Sequence, residues 1–514
     1  MSRTRVLNAA EMRAVDASSA QPVAVLIERA GAAVASCARR MLGGTYGRTV
    51  VVLVGRGNNG ADGRVAASLL AASGVRVLVI DVDRVRPAPD VLPPCDLIID
   101  AVLGTGSTGV FMGPPQSSAL VLAVDIPSGV DADTGAVASG SRVLQADRTL
   151  TFVALKPGLL FGEGARLAGI VEVADIGLTF PPEFGERPGV HVATLDNVLA
   201  RLPRRGRGAH KWSAAVGVVG GSAGMTGAPS LVASAALRSG AGMVRIATPG
   251  GVVEGDPIEA VRVALPMNHW TAAAIDATTK CHSLIIGPGL GRARPSLTSA
   301  RSLITRSAQP IVLDADGFAA LSDGVDDDRA FDLQSAPAPQ PLSGAGLRAV
   351  QQASARRDGT LISTVTPIDR SAVRMPASML KNRRPGSTVL TPHDGEYELL
   401  AGRRPGPDRI ASARALAAAS GAVVLLKGPT TVIAEPNGRV EIVRAGDARL
   451  ATAGTGDVLA GVVGSFLAQG CGTFDAAVLG AFVHGEASLL GRSVGLVASD
   501  LPALIADLLS SWAD

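Results

Sequence analysis

Glycine-rich turns and carboxylates follow several apolar runs of this chain, and such residues can bind phosphate or move protons. Residues 55–60 read Gly-Arg-Gly-Asn-Asn-Gly, and Asp81 ends the next apolar run. This spacing is typical of a dinucleotide-binding turn, in which backbone N–H groups approach a pyrophosphate at a helix N-terminus. The same glycines also fit a strand-to-helix turn that holds no ligand.

Side chains around this loop indicate a more specific site. Residues 58–62 bring two amides and a carboxylate to the start of a helix, where they could bind a polar ligand or a hard cation. Asp100 precedes a second glycine-rich loop at residues 104–109, and Asp125 ends another apolar run. Ligands of doubly wound sheets bind at the carboxyl ends of the strands, so one site is predicted here. Asp62 could instead be a helix cap.

The strongest local motif of the second half is Ala-Gly-Thr-Gly-Asp at residues 453–457, directly before an apolar helix. Backbone N–H groups after the glycines can form an anion site, and Asp457 stands where a carboxylate can act as a base. The alternative is that Asp457 is only the N-cap of this helix after a glycine turn. Lys427, with backbone donors beside it, suits a nucleotide phosphate. His393 is interpreted as a ligand contact, although a lone histidine is more often a surface or core residue.

Apolar runs must position these groups, because short Val, Ile and Leu runs that alternate with helices predict parallel sheets covered on both faces. In the first half, strands are predicted at residues 49–54, 75–81, 97–102, 120–126, 149–155 and 170–176. In the second half, they are predicted at residues 214–219, 243–247, 283–286, 310–313, 388–390, 423–426 and 431–434. Helices are predicted at residues 11–40 with an interruption at Pro22, at residues 62–73 and at residues 458–469.

A proline-rich segment at residues 180–188 predicts a domain boundary, with a first domain at residues 1–185 and a second at residues 191–514. Residues 329–385 lack a strong period and include low-complexity sequence, so they are predicted to be an insertion. The insertion ends just before His393 and could displace the strand that precedes this residue.

Composition excludes several classes of protein. The chain has 514 residues, 47% of them hydrophobic, and its net charge of +3 is too small to indicate a nucleic-acid partner. Its four cysteines form no CxxC motif and are interpreted as reduced thiols. Apolar runs stay shorter than the roughly 18 residues of a membrane span. We therefore expect a soluble, cytoplasmic protein without a membrane segment.

Five segments of the first half together resemble the NAD(P)H-hydrate epimerase domain. They are AAEMRAVD at residues 9–16, GRGNNGADG at 55–63, DAVLGTG at 100–106, AVDIPSGVDADTG at 123–135 and LTFVALKPG at 150–158. The resemblance implies a Rossmann-like doubly wound sheet and interconversion of the R and S hydrates of NADH and NADPH. Ala61 departs from the family pattern, which has glycine there.

The same resemblance implies the ligand contacts of the first site. The hydrate would be bound by Asn58, Asn59, Gly60, Ala61, Asp62, Gly104, Thr105, Gly106, Ser107, Thr108, Gly109 and Val110. Asp125 would contact the hydrate near the reacting carbon, as the catalytic residue. Potassium would be bound by Asn59, Asp100 and Ser128.

The second half resembles the ADP- or ATP-dependent NAD(P)H-hydrate dehydratase, which has a ribokinase-like α/β fold. The resemblance rests on GGSAGMTG at residues 220–227, GPGLG at 287–291, DADG at 314–317, TPHDGE at 391–396, KGPTT at 427–431 and AGTGD at 453–457. It implies loss of water from the S hydrate at the expense of ADP, which gives NAD(P)H, AMP and phosphate, with magnesium at the phosphates. Asp394 departs from the family pattern, which has proline there.

Roles in the second site are implied in the same way. Asp457 would be the base that activates the hydroxyl for phosphoryl transfer. The hydrate would contact Ala228, Gly289, His393 and Asp457, and the nucleotide would contact Lys427, Gly428, Pro429, Thr430, Thr431 and Gly456. Together, the two halves predict a bifunctional cofactor-repair enzyme that acts on NADHX and NADPHX and forms a homo-oligomer.

The residues alone leave three other functions open. Residues 55–60 with Asp81 allow a nicotinamide-dependent oxidoreductase, and residues 454–457 allow a ribokinase-like kinase of small molecules. The first domain could also be a non-catalytic module that senses a ligand or binds a protein.

Overall fold

The computed structural model describes residues 4–83, 88–106, 109–181, 184, 188–251, 255, 257–321, 380, 383–384 and 386–513. These residues fold around two sheets, one of six strands and one of eleven, with helices packed against them. The α/β class predicted from the apolar runs is confirmed.

The structure contains every strand and helix predicted above, with ends shifted by a few residues. The strands of the described residues are β1 (Thr4–Val6), β2 (Thr49–Val54), β3 (Arg76–Asp81), β4 (Leu97–Ala101), β5 (Leu120–Val124), β6 (Arg148–Phe152), β7 (Ile170–Ala174), β8 (Val190–Val192), β9 (Ala215–Val219), β10 (Met243–Pro249), β11 (Val261–Leu265), β12 (Ser283–Ile286), β13 (Ile311–Leu313), β14 (Thr388–Leu390), β15 (Val423–Leu426), β16 (Thr431–Ala434) and β17 (Val440–Val443). The helices are α1 (Ala9–Ala17), α2 (Val23–Leu42), α3 (Asn58–Ala72), α4 (Gly162–Leu167), α5 (Leu195–Leu199), α6 (Gly227–Arg238), α7 (Thr271–Thr278), α8 (Arg294–Arg306), α9 (Asp394–Ala401), α10 (Arg409–Ser420), α11 (Thr455–Ala468), α12 (Thr473–Leu490) and α13 (Leu501–Ser511).

The smaller sheet is entirely parallel, with the strand order β3-β2-β4-β5-β6-β7. Alternate residues of the buried strand β2 pack on opposite faces. Val50, Val52 and Val54 belong to the hydrophobic cluster that includes α2 and α3, whereas Val51 and Leu53 belong to a cluster on the other face. The chain passes from β3 across β2 to β4, so the ends of β2 and β4 form the switch point where such sheets bind ligands.

The larger sheet has the strand order β1-β8-β17-β16-β15-β14-β13-β12-β9-β10-β11. The strands from β15 to β11 run parallel to one another, whereas β16 is antiparallel to both β15 and β17. One face packs against α6, α11, α12 and α13, and the other packs against α7, α8, α9 and α10. This layered arrangement agrees with the ribokinase-like α/β fold expected for the second half.

Contacts connect the N-terminal residues to the larger sheet. Strand β1 pairs antiparallel with β8 and forms the edge of that sheet. Val6, at the end of β1, makes a parallel bridge to Leu155, which follows β6. The Thr430 hydroxyl donates a hydrogen bond to the carbonyl oxygen of Leu160 at 2.8 Å. Strand β1 thus precedes the smaller sheet in sequence but belongs to the larger one in space.

Most of the predicted insertion at residues 329–385 lies outside the described residues. Near its end, the buried Arg383 guanidinium donates hydrogen bonds at 2.8 Å to the carbonyl oxygens of Ser307 and Gln309. Strand β14 lies in register between β13 and β15, so the strand that precedes His393 is not displaced. Within the part of the chain that the structure describes, no helix combines the length and apolarity needed to cross a membrane.

Candidate active sites

A cavity of about 1310 Å³ lies at the carboxyl ends of the strands in the smaller sheet. Its lining includes most of the residues predicted to bind the hydrate, namely Asn58, Asn59, Asp62, Gly104, Thr105, Gly106, Gly109, Val110 and Asp125. Gly60 and Ala61 lie in α3 beside these residues, and Ser107 and Thr108 lie outside the described residues. The structure therefore brings together those predicted residues of the first site that it describes.

The start of α3 depends on glycine. A Cβ on Gly60 would lie 2.0 Å from the carbonyl oxygen of Gly55, so only glycine allows the turn and the helix to approach this closely. The helix begins at Asn58, with Gly57 as its N-cap, rather than at residue 62 as predicted. Asp62 therefore lies inside the helix, and the alternative that it caps the helix is wrong.

Asp125 is the centre of a hydrogen-bond network in the first site. It follows β5 with a φ of 67°, a left-handed conformation that is uncommon for a residue other than glycine. Its Oδ1 accepts hydrogen bonds from Lys156 Nζ at 2.6 Å and Thr151 Oγ1 at 3.0 Å. Its Oδ2 accepts hydrogen bonds from the Thr105 backbone N–H at 3.1 Å and from Thr105 Oγ1 at 2.5 Å. Four donors thus fix the orientation of the carboxylate.

Lys156 and Thr151 had no predicted role, although both lie in the LTFVALKPG segment. The Lys156 side chain is 1% exposed, and its Nζ also donates to Thr151 Oγ1 at 2.7 Å and to the Phe152 carbonyl oxygen at 3.1 Å. Burial raises the pKa of Asp125, but the charge and hydrogen bond of Lys156, together with the hydrogen bonds of Thr105, outweigh burial and hold this pKa below its usual value. Asp125 is therefore ionised at neutral pH.

Two further carboxyl groups line the cavity in a different environment. Asp62 is 6% exposed, and its side chain has no hydrogen bond or ion pair within the described residues. Burial, together with the negative charge of Asp125, raises the pKa of Asp62 to about 8. Asp16, on α1, had no predicted role, and its pKa is also raised, mainly by burial. Protonated and ionised carboxyl groups therefore share one cavity.

The predicted potassium ligands meet around the carbonyl oxygen of Leu103. Asn59 Nδ2 lies 3.0 Å from this oxygen, and Ser128 Oγ lies 3.3 Å from it. The buried Asp100 carboxylate accepts hydrogen bonds from Ser128, from its N–H at 2.9 Å and its Oγ at 2.6 Å. These partners are neutral, and burial raises the pKa of Asp100. The Asp100 carboxylate, the Ser128 hydroxyl and the Leu103 carbonyl oxygen are ligands that suit a hard cation, whereas Asn59 presents its Nδ2 to the carbonyl oxygens of Leu103 and Val124.

Asp81, on which the oxidoreductase alternative depends, makes an ion pair with Arg64 of α3. Asp83, two residues later, makes another with Arg56 at 2.8 Å. Both carboxylates are thus engaged by arginines on the β2–α3 side of the sheet.

The second site lies at the carboxyl ends of the parallel strands in the larger sheet. Lys427 follows β15, and its Nζ lies 3.0 Å from Asp314 Oδ1 and 3.4 Å from Glu396 Oε2. A Cβ on Gly456 would lie 3.4 Å from Lys427 Nζ, so the N-terminus of α11 faces this cluster. Asp314 and Glu396 had no individual predicted role, although each belongs to a motif that supported the resemblance.

Asp457 lies in the first turn of α11, whose N-cap is Gly454, so the alternative that Asp457 is the N-cap is wrong. Burial raises its pKa, the negative charge of Asp314 raises it further, and Lys427 opposes both effects, which leaves the pKa at about 7. A carboxyl group with such a pKa is suited to accept a proton near neutral pH.

His393 is the N-cap of α9. Its Nδ1 accepts hydrogen bonds from the N–H groups of Gly395 at 3.0 Å and Glu396 at 3.3 Å, and Glu396 Oε2 accepts one from the His393 N–H at 2.9 Å. The imidazole is 60% exposed, so the alternative of a core histidine is wrong.

Asp394, the departure from the family pattern, connects α9 to the loop after β15. Its Oδ1 lies 2.9 Å from Arg409 Nη1, and Arg409 Nη2 donates a hydrogen bond to the carbonyl oxygen of Lys427 at 2.8 Å. The aspartate at this position thus supports, through Arg409, the backbone of the predicted nucleotide-binding loop.

Residues 427–431 form that loop between β15 and β16. Thr430 is buried, and its hydroxyl donates to Leu160, so its side chain is engaged away from Lys427. The Thr431 hydroxyl lies 3.5 Å from the carbonyl oxygen of Gly428. Lys427 is therefore the loop's side chain that faces the carboxylate cluster, and Thr430 can serve a nucleotide only through its backbone.

Ala228 and Gly289, two predicted hydrate contacts, adjoin each other. A Cβ on Gly289 would lie 3.2 Å from Ala228 Cβ. Leu231, farther along α6, lies against Gly454, since a Cβ there would be 2.7 Å from Leu231 Cδ1. Helix α6 thus connects these two residues to the N-terminus of α11.

Two family models match the chain, one on each half. The model described as YjeF-related protein N-terminus matches residues 23–89 and 81–158. The model described as NAD(P)H-hydrate dehydratase matches residues 216–336 and 345–509. These ranges contain the first and the second site, respectively.

Curated relatives extend over nearly the whole chain. The bifunctional NAD(P)H-hydrate repair enzyme Nnr of Salinibacter ruber is 33% identical, over 94% of this chain and 91% of that protein. The enzymes of the same name from Mycobacterium leprae and Escherichia coli are 32% and 30% identical, over 92% and 88% of this chain and 90% and 83% of their own length.

Solved structures resemble the second half. A ribokinase-like superfamily protein of Enterococcus faecalis has a TM-score of 0.46 at 18% identity, covering 63% of this chain and 96% of its own. The ADP/ATP-dependent NAD(P)H-hydrate dehydratase of Bacillus subtilis, co-crystallised with ATP and Mg²⁺, has a TM-score of 0.43 at 24% identity, covering 62% and 98%. On the evidence of the family models and the full-length relatives, the chain belongs to the family of bifunctional NAD(P)H-hydrate repair enzymes.

Proposed function

We propose that the two sites divide the repair of hydrated nicotinamide cofactors between them. The first site interconverts the R and S hydrates of NADH and NADPH. The second dehydrates the S hydrate at the expense of ADP and releases NAD(P)H, AMP and phosphate. The observation that carries this assignment is the Lys427–Asp314–Glu396 cluster facing Asp457 and the N-terminus of α11, because it combines a phosphate-binding cation with a base.

In the first site, the hydrate lies in the cavity between residues 58–62 and residues 104–110. The cavity volume of about 1310 Å³ supports a large ligand, since small-molecule sites have about 300–1,000 Å³. Asp125, ionised and held by Lys156, contacts the hydrate near the carbon that bears the hydroxyl.

In the second site, Asp457 takes the proton of the ring hydroxyl while the hydroxyl oxygen attacks the terminal phosphorus of ADP, and AMP leaves. Lys427 binds the transferred phosphoryl group, and the N–H groups at the start of α11 stabilise its charge. The ring nitrogen lone pair then expels phosphate, and loss of a ring proton restores NAD(P)H.

Two metal ions fit the residues present. Magnesium supplies charge neutralisation at the nucleotide phosphates when bound, and Asp314 and Glu396 are carboxylates in place to hold it. Potassium, when bound, would balance the negative charge of the buried Asp100 carboxylate. Asn59, Asp100 and Ser128 would hold this ion.

A coupled assay tests both activities. The chain is incubated with mixed R and S hydrates of NADH, magnesium, potassium and ADP, and the absorbance of reduced nicotinamide is followed. We expect full recovery for the wild type, recovery of the S fraction alone for Asp125→Asn, and none for Asp457→Asn, which still epimerises. Absence of recovery with both ADP and ATP in the wild type would contradict the dehydratase assignment.

Asp81→Asn is the matched control. This substitution removes a carboxylate at the same edge of the smaller sheet. An oxidoreductase would need this carboxylate to bind its dinucleotide, whereas the epimerase would not. We expect both activities to survive in this variant. Separate assays with the hydrate of NADH (NADHX) and the hydrate of NADPH (NADPHX) measure the substrate preference.

We also propose a cytoplasmic location and self-association. All four cysteines, Cys37, Cys95, Cys281 and Cys471, are free thiols, which suits a reducing compartment. Light scattering during size-exclusion chromatography measures the oligomeric state.

A further inference from the structure

Asp62 is the polar group of the first site that the network around Asp125 leaves unused. It lies in α3, lines the same cavity as Asp125, and is 6% exposed. Its carboxyl group has no hydrogen bond or ion pair within the described residues. Its place in the lining of the cavity leaves this carboxyl group open to a bound ligand.

Asp125 has the opposite environment. Each of its carboxylate oxygens already accepts two hydrogen bonds, from Lys156, Thr151 and the two donors of Thr105. An ionised carboxylate that is this well supplied with donors is a weak base, but its negative charge stabilises a nearby cation.

We propose that Asp62 is the proton donor of the first site and that Asp125, paired with Lys156, stabilises the cation that proton transfer creates. This role rests on the proposed epimerase function. It assigns Asp62 and Asp125, which line the same cavity, to different tasks according to their surroundings.

The chemistry balances with these two groups. The Asp62 proton moves to the ring hydroxyl, the C–O bond breaks with its electron pair on oxygen, and water leaves. The ring nitrogen lone pair forms a C=N⁺ bond, and Asp125 balances the positive charge. Water then adds to either face of the planar carbon, and its extra proton returns to Asp62, directly or through water. Asp62 is therefore regenerated, and the hydroxyl carbon loses its original configuration.

The electrostatic environment supports this division. The charged or titratable side chains that line the cavity around Asp62 include Asp16, Asp125, Lys156 and Arg13. With a pKa of about 8, Asp62 keeps its proton at neutral pH, whereas Asp125 has lost its own. Carboxyl groups whose pKa values are pushed apart in one site are suited to acid and charge-stabilising roles.

Kinetics of Asp62→Asn test the proposal. The variant keeps the shape but has no acidic proton, so we expect kcat for epimerisation to fall at least about 100-fold, with a KM for the hydrate within about threefold of the wild type. Asp62→Glu should recover part of kcat. Dehydration of the S hydrate by the same chain shows that the variant is folded. A KM increase with unchanged kcat would overturn the proposal, because it would leave Asp62 a binding residue only.

Oxygen exchange in the wild type gives a second readout that does not depend on any variant. Epimerisation is run in H₂¹⁸O without ADP, so that the second site cannot act, and the spontaneous rate is subtracted. We expect each inverted hydrate to carry one ¹⁸O by mass spectrometry. Inversion with retained ¹⁶O would overturn the proposal while leaving the epimerase function intact. Absence of inversion in the wild type would contradict the epimerase function itself.

Discussion

Lys156 Nζ lies 2.6 Å from Asp125 Oδ1, and the two side chains are only 1% and 14% exposed. The lysine donates its other hydrogen bonds to Thr151 and Phe152, so it is held in place by the same strand that leads into its loop. The position of Lys156, which carries the charge opposite Asp125, is thus fixed by β6.

Replacement of Lys156 tests this relationship. Lys156→Met leaves Asp125 without its countercharge, and we expect epimerisation to slow by about 100-fold. Removal of one partner of a buried ion pair costs about 3–5 kcal/mol of stability, so the thermal midpoint should fall as well. Lys156→Arg keeps the charge and should lose less stability. Lys156→Met with wild-type stability and epimerisation would contradict the role of this pair.

The pH dependence of dehydration tests Asp457. Asp457 must be ionised to accept the hydroxyl proton, and its pKa is about 7. We expect kcat/KM for the S hydrate to rise with pH and to level off above about pH 8. The rate of epimerisation, measured in the same samples, should not show this rise with pH. A dehydration profile that is flat between about pH 5.5 and 8.5 would exclude Asp457 as the base.

The Asp457→Asn substitution should abolish dehydration without lowering the free energy of unfolding. Folding raises the pKa of Asp457 from its ordinary value of 3.8 to about 7, so the folded state binds this proton more tightly than the unfolded state. The resulting stabilisation is fully present below pH 3.8 and is lost as pH rises through about 7. The amide cannot ionise, and we expect this inactive variant to equal or exceed the wild type in urea unfolding at about pH 8. A variant that is clearly less stable than the wild type there would show that the carboxylate has a structural role.

Arg409 should matter for the nucleotide rather than for the hydrate. Arg409→Ala removes the contacts to Asp394 and to the Lys427 carbonyl oxygen, so the loop at residues 427–431 loses its support. We expect KM for ADP to rise about 3–10-fold with KM for the hydrate unchanged. Arg404→Ala, which removes an exposed pair with Glu398, is the matched control. Equal KM values for ADP in the two variants would argue against this support.

Periodicity predicted the central strands but not the edges of the larger sheet. Strand β17 escaped prediction because Glu441 interrupts its apolar pattern, and only the folded chain shows that Arg201 compensates this buried charge at 2.9 Å. Strands β1 and β8 have three residues each, and β8 pairs with both β1 and β17. Short strands of this kind depend on tertiary partners that local sequence does not reveal.

The residues of the candidate sites could also be predicted only in part from the sequence. Asp125 and Asp457 could be predicted because each follows a glycine-rich or strand-end motif at a position where chemistry is expected. Lys156 lies 31 positions from Asp125, and nothing in its local sequence shows that its side chain is buried against that residue. Whether a carboxyl group is paired, as Asp125 is, or has no partner among the described residues, as is the case for Asp62, depends on burial and contacts, which spacing does not encode.

The pairing of β1 with β8 also limits how the gene can be divided. A fragment that starts after the proline-rich segment would leave β8 at an open edge, and a fragment that ends there would leave β1 without a partner. Exposed edges of this kind promote association between chains. A cut at the linker would therefore separate β1 from β8, and each fragment would contain a strand that has lost a partner.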